Sequence, residues 1–251
     1  MTELTKDTLF DGRLICWQNK SGYRFSVDAV LLAHFCLHWK KADILDLGCG
    51  CGILGCILLY RNIDNITTVS GIEYQNSLVE IAQKNILQND FAKKMSVRHG
   101  DYRKIADYYD AESFSHVICN PPFYQIGRGR TNDNTEAFLA RHQAVSSTGI
   151  IAESIAYVLK NKGEAGVIFP AENLFDITRE LQQKRLEPKK IQFVYSYPGS
   201  SNARLVLLLC RKNGGEGVKV QAPLFLYTKK NGEYTRSVKD MYAPFQKEIS
   251  G

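Results

Sequence analysis

The 251-residue chain has no long hydrophobic run. Its longest apolar stretches, such as Leu205–Cys210, are far too short to span a bilayer. No membrane association is expected. The amino terminus, Met1-Thr2-Glu3-Leu4-Thr5-Lys6, lacks the basic-then-apolar pattern of an export signal. Cysteine is present in an odd number, seven, which argues against a disulfide framework. Reduced thiols and a cytoplasmic location are the expectation. Cys49, Cys51 and Cys56 lie close together, but C-x-C-x4-C has no second half to complete a zinc site. They read as small buried residues, and no metal is expected. Internal repeats, low-complexity segments and clear linkers are also missing. What remains is a single α/β domain with 44% hydrophobic residues, enough for an ordinary core.

The net charge of +6 is unevenly placed. Residues 1–159 hold 16 Lys and Arg against 17 Asp and Glu, a balance of −1. Residues 160–251 hold 16 against 9, a balance of +7. Lys184-Arg185, Lys189-Lys190, Arg211-Lys212 and Lys229-Lys230 contribute to the excess. A basic half points to a polyanionic partner, with nucleic acid first.

Asn120-Pro121-Pro122-Phe123 is the stretch that organises the chain. It follows Phe114, Val117, Ile118 and Cys119, which have the pattern of a buried strand. Two prolines cannot donate to a ladder, so the chain must leave the sheet there. In an open parallel sheet that C-terminal edge is where ligands bind. The Asn120 carboxamide and nearby backbone carbonyls can accept the two N–H bonds of a planar amine. The Phe123 ring can stack on a flat base, a contact worth about 1–3 kcal/mol.

The second motif is Asp46-Leu47-Gly48-Cys49-Gly50-Cys51-Gly52, between a strand (Ile44, Leu45) and a helix predicted over Ile53–Tyr60. Gly48, Gly50 and Gly52 allow close backbone approach, and the helix start offers free N–H groups. Ile53 stands where the dinucleotide fingerprint has its third glycine, which disfavours a dehydrogenase. Glu73 ends the next predicted strand, Thr67–Ile72, where a carboxylate can accept from ribose hydroxyls. Tyr74 follows it and can pack on an adenine. A helix is predicted from Asn76 to Asn89, and a strand over Met95–His99 leads into Gly100-Asp101-Tyr102. Upstream, Ser26 is a good helix cap for a segment reaching Trp39, with Asp28 in its first turn. An N-terminal hairpin or strand is expected over residues 9–18. The polar stretch from Tyr124 to His142 reads as a substrate-side loop. Helix 147–159, strand 164–169, a helix to about Lys184 and strands 191–197 and 205–210 complete the pattern. A strand pair is expected at 218–221 and 224–228, ahead of a tail with Tyr234, Tyr242 and Phe245.

Together these pieces resemble class I S-adenosylmethionine (SAM)-dependent methyltransferases over nearly the whole chain. Asp46–Gly52 resembles the nucleotide-binding loop of that fold, Glu73 its ribose acid and Asp101 its adenine-contacting acid. Asn120–Phe123 resembles the [N/D]-P-P-[Y/F] motif of enzymes that methylate planar nitrogens. More narrowly, Tyr23–Ala33, the Asn-Pro-Pro-Phe motif and the basic C-terminal half are similar to the bacterial family that methylates N6 of adenine 37 in tRNA1(Val). The resemblance implies a Rossmann-like sheet of seven strands, the last antiparallel, with helices on both faces. It implies SAM bound by Asp28, Asp46, Gly48, Gly50, Gly52, Glu73, Tyr74, Asp101, Tyr102 and Asn120. It implies catalysis by Asn120, Pro121, Pro122 and Phe123 on an adenine of the anticodon stem-loop of tRNA, by a monomer. Residues 1–40 would be an extension packed on the SAM site, 41–212 the core sheet and 213–251 a basic C-terminal extension. Ribosomal RNA guanine-N2 and protein glutamine-N5 methylation share Asn-Pro-Pro and are the rival activities. A noncatalytic RNA-binding scaffold on the same fold is the rival of another class.

Overall fold

A computed structural model describes residues 3–20, 26–121 and 148–244. Tyr23–Phe25, Pro122, Phe123, the 124–142 stretch and Phe245 lie outside the described residues. Strands β1 (Leu4–Leu9) and β2 (Leu14–Asn19) form an antiparallel hairpin of their own. It begins before the expected 9–18 window because Phe10, Asp11 and Gly12 make the turn, at φ 56, 53 and 84°. Such left-handed residues are what tight hairpin turns demand.

The main sheet has nine strands. They are β3 (Ala42–Leu47), β4 (Ile66–Glu73), β5 (Met95–His99), β6 (Phe114–Cys119) and β7 (Leu159–Pro170), then β8 (Leu186–Tyr195), β9 (Leu205–Lys212), β10 (Lys219–Val220) and β11 (Leu224–Phe225). The order is β10-β8-β9-β7-β6-β3-β4-β5, with β11 also on β8. Strand β9 runs antiparallel to both neighbours, β7 and β8. The other pairings are parallel. The seven long strands thus form the mostly parallel sheet expected, with its last strand reversed.

One expectation fails at the edge. The segments near 218–221 and 224–228 do not pair with each other. Each pairs in parallel with β8, at Lys190–Ile191 and at Val194–Tyr195. Pro223 lies between them and has no N–H to donate, so one edge strand is broken into two.

The helices are α1 (Val27–Phe35), α2 (Ile53–Asn62), α3 (Asn76–Gln88), α4 (148–158), α5 (Leu174–Gln183) and α6 (Arg236–Tyr242). Helices α1, α2 and α3 cover one sheet face, and α4 and α5 cover the other. Strand β9 shows why both faces need cover. Leu205, Leu207 and Leu209 join the first core, and Val206, Leu208 and Cys210 the second. Asn85 on α3 and Asn89, which caps its end, hold the hairpin. Their carboxamides accept from Trp17 N (2.6 Å) and Ile15 N (2.8 Å) and donate to the same residues' carbonyls. Among the described residues no helix is long and apolar enough to cross a membrane.

Candidate cofactor and active site

The C-terminal edge of β3, β4 and β6 gathers most of the residues singled out by sequence. Strand β3 ends at Leu47, and the chain turns through Gly48, Gly50 and Gly52 at φ 72, 56 and 75°. An L-residue would strain that backbone by about 1–2 kcal/mol per position. At Gly52 a Cβ would also come within 3.1 Å of the Ala82 Cβ. The turn is stapled to β4 by Gly48 N and Cys49 N, which donate to the Ile72 carbonyl at 3.0 and 3.1 Å. Tyr102 lies against it, 3.7 Å from where a Gly48 Cβ would sit.

Glu73, at the end of β4, is buried. Its carboxylate accepts from Gly50 N (3.0 Å) and Gln75 N (2.8 Å), so it fixes the glycine turn as well as facing the edge. Asp46 is only 1% exposed, and its Oδ2 has no hydrogen-bond partner. Burial pushes its carboxyl up to about 7; the Gly55 N–H opposes this and the Glu73 charge adds to it. Asp28 is also buried, with Oδ1 unpartnered. Ser26 caps its helix, accepting from Asp28 N at 3.4 Å. Among the described residues none of these three acids forms an ion pair with Lys or Arg. A small hollow is lined by Ala29, Asp46, Gly48, Cys49, Cys51, Ile53, Leu54 and Asn120.

This arrangement fits SAM, which carries a cationic ammonium and a cationic sulfonium. Buried carboxylate oxygens without a cation cost free energy unless a ligand supplies one. Asp28 and Asp46 would hold the cationic methionine end, with the glycine turn approaching closely, and Glu73 the ribose.

Tyr74 and Asp101, the residues expected near an adenine, have partners within the chain. Tyr74 is 62% exposed and stacks on His99, centroids 6.4 Å apart. Asp101 is clasped by Arg103, whose Nε donates to Oδ1 (2.9 Å) and Oδ2 (2.8 Å). The Arg103 guanidinium holds the Asp101 carboxyl below its ordinary range and lies 5.7 Å from the Tyr74 ring centroid. Sequence reading missed Arg103; its signal was an acid two residues before it, which caps a short 3-10 helix through Arg103 N (3.0 Å). It also missed Asn85, which ties the loop to the hairpin by donating to the Cys51 carbonyl at 2.9 Å.

Asn120 follows β6 directly, half-buried, and lines the hollow with Asp46 and Gly48. Pro121 is buried beside it. Of the expected catalytic set, Pro122 and Phe123 lie outside the described residues. Among the described residues no group of three or more His, Cys, Asp and Glu could hold a metal ion.

Comparison with known proteins gives the family and the fold. Residues 26–161 match the family model described as "Methyltransferase small domain". A tRNA1(Val) (adenine(37)-N6)-methyltransferase of Shewanella putrefaciens is 30% identical over 189 residues, 75% of this chain and 77% of that protein. The enzyme of the same name from Shewanella frigidimarina is 26% identical over 235 residues, 89% of this chain and 92% of its own. Among solved structures, a predicted O-methyltransferase from Agrobacterium tumefaciens aligns with a TM-score of 0.68 at 20% identity. That alignment covers 88% of this chain and all of the other, and it shows a shared fold.

Proposed function

The chain belongs to the methyltransferase small domain family of SAM-dependent enzymes, and from that premise we propose that it methylates N6 of adenine 37 in the anticodon stem-loop of tRNA1(Val). The observation that carries the reading is the position of Asn120. It stands at the mouth of β6 in the same hollow as Asp46 and Gly48. In this reading its carboxamide is the acceptor beside the methyl donor. The relatives named for this adenine support the choice of base and RNA.

Bound SAM supplies an electrophilic methyl carbon and leaves as a neutral thioether. Asn120 Oδ1 and the Pro121 carbonyl accept the two N6 hydrogens of the target. This draws the amine lone pair out of conjugation with the ring and aims it at the methyl. Phe123 stacks on the base, which must be splayed from the loop to reach the edge. Proximity and orientation then carry most of the rate. The new N–CH3 bond leaves the nitrogen cationic. It sheds a proton to water, so no strong base is required. In this reading the enzyme acts in the cytoplasm as a monomer.

The test offers labelled SAM with unmodified total tRNA, ribosomal RNA and a release factor, separately. N6-methyladenosine recovered from digested tRNA is the expected product. Label on guanine N2 of ribosomal RNA, or on a glutamine, would keep the cofactor site and replace the substrate.

A further inference from the structure

The C-terminal extension builds an aromatic and basic face on the same sheet edge as Asn120. Residues 219–227 run along β8 as a broken parallel strand, through Gln221 N to Ile191 O (2.8 Å) and Tyr227 N to Ser196 O (2.8 Å). Because β8 is parallel to β7 and β6, this segment delivers Tyr227 to the C-terminal edge. It does so on the flank away from β4 and β5, which carry the ribose and adenine candidates. There the chain reverses. Tyr227 bridges Tyr234, Thr228 N donates to Glu233 O (2.8 Å), and Asn231 takes φ 56°. The reversal presents Lys229 and Lys230, both exposed and, among the described residues, in no ion pair. Behind it the Tyr227 and Tyr234 rings stack at 5.1 Å, and Tyr234 and Tyr242 at 5.7 Å, within 15° and 10° of parallel. Arg204 lies near Tyr234 and Asp28 near Tyr242.

Core packing accounts for only part of this ladder, whose three tyrosines lie against the first core. Leu224, Leu226 and Val238 are the buried apolar residues of the extension, whereas the three tyrosines are only half-buried. The ladder is also held rigid from behind. The Arg61 guanidinium donates to Met241 O (2.7 Å) and Ala243 O (2.6 Å) at the end of α6, and His34 Nε2 lies 3.0 Å from Met241 O. Single-stranded nucleic acid binds half-exposed rings beside unpaired cations: a base on an end ring of the stack, phosphates on the lysines. A folded protein partner would want an apolar patch, and this face offers hydroxyls and ammonium groups.

We infer that the Tyr227–Tyr234–Tyr242 ladder and the Lys229-Lys230 turn receive single-stranded nucleotides of the substrate RNA next to the methylated base. The inference rests on the RNA-methylation reading above and adds the surface that holds the RNA. It is tested by the affinity of the full chain for unmodified tRNA, with S-adenosylhomocysteine present, across a salt series. The double variant Lys229→Ala, Lys230→Ala should bind about tenfold more weakly at low salt, and its salt slope should fall by about 1–1.5, the release expected for two single-strand phosphate contacts. Tyr227→Ala should lose about 5- to 150-fold, whereas Tyr227→Phe should stay within about twofold, because stacking needs the ring and not the hydroxyl. SAM affinity should be unchanged in all three and serves as the check on folding. Should Tyr227→Ala lose SAM as well, the lysine pair decides alone. Unchanged tRNA affinity and slope in the lysine variant, or a wild-type chain that holds no tRNA, overturns the inference. Methyl transfer by the wild type is scored separately. A chain that binds RNA through this face yet methylates another base loses the adenine assignment and keeps the surface.

Discussion

Two carboxylates on the same sheet sit in opposite circumstances. Glu164, low on β7, accepts from Trp39 Nε1 (3.0 Å), His38 Nε2 (3.3 Å) and Arg211 Nη2 (2.5 Å). Hydrogen bonds from His38 and Arg211, against some burial, hold its carboxyl down to about 2. Asp46, at the upper end of β3, has an unpartnered oxygen, and burial pushes it up to about 7. The lower acid is satisfied within the chain and ties Trp39 to β7 and β9. The upper acid keeps an oxygen without a hydrogen-bond partner, which the proposed function gives to the cationic cofactor. Sequence shows both simply as acids on or beside strands. The difference between the two acids lies in which neighbours reach them.

The comparison is broken most forcefully at Asp46. Asp46→Ala should weaken SAM binding more than about 100-fold, the scale of removing one side of a buried charge pair. Asn120→Ala should keep SAM within a fewfold and lose about 10²–10³ in transfer rate. Calorimetric titration and a single-turnover assay separate the two. Equal loss of SAM in both variants would make Asn120 a cofactor residue only.

Next comes Glu164→Gln, which should lower stability by about 1–3 kcal/mol, read by denaturant unfolding, and leave SAM affinity unchanged. Its carboxyl falls from 4.5 unfolded to about 2 folded. The stabilisation is therefore present above pH 4.5 and lost as pH drops towards 2. The variant should lack that acid-limb dependence. A SAM defect in it would dissolve the contrast between the two edges.

The smallest effect is the sharpest discriminator. Asp46 rises from 3.8 unfolded to about 7 folded, so folding takes up a proton between those values and apo-protein stability should decline as pH rises through them. SAM, being cationic, should bind the charged form. Its affinity should increase by up to about tenfold per pH unit below 7 and level off above. In Asp46→Asn both slopes should flatten; persistence of either would place the titration elsewhere.

The placement of the candidate cofactor residues was legible because their signals are contiguous. Asp46 and Glu73 lie at the ends of β3 and β4, and Asp101 follows β5 by two residues, so strand placement alone brings them to one edge. Asn120 was legible for the same reason, helped by two prolines that end β6. What escaped depends on partners far away in the chain. Asn85 and Asn89 look like polar positions on an amphipathic helix; their roles exist only because β2, 68 to 74 residues earlier, lies beside them. Helix α6 buries only Val238, so it has no apolar stripe to announce it. The 218–228 segment has the pattern of two strands. That they flank β8 instead of each other is decided by an open sheet edge, which no local pattern contains.

The reversed strand β9 gives the molecule a timetable. Strands β3, β4 and β5 can pair once His99 has been made. Strands β7 and β8 have only β9 between them, and it comes last, ending at Lys212. During synthesis the half that cradles the cofactor can therefore assemble while the other half still waits for its central strand. A chain interrupted after β8 would leave β7 with one unpaired edge and β8 with both, each a template for pairing with another copy. For this fold, the vulnerable interval in the life of the nascent chain is the stretch from Tyr195 to Lys212.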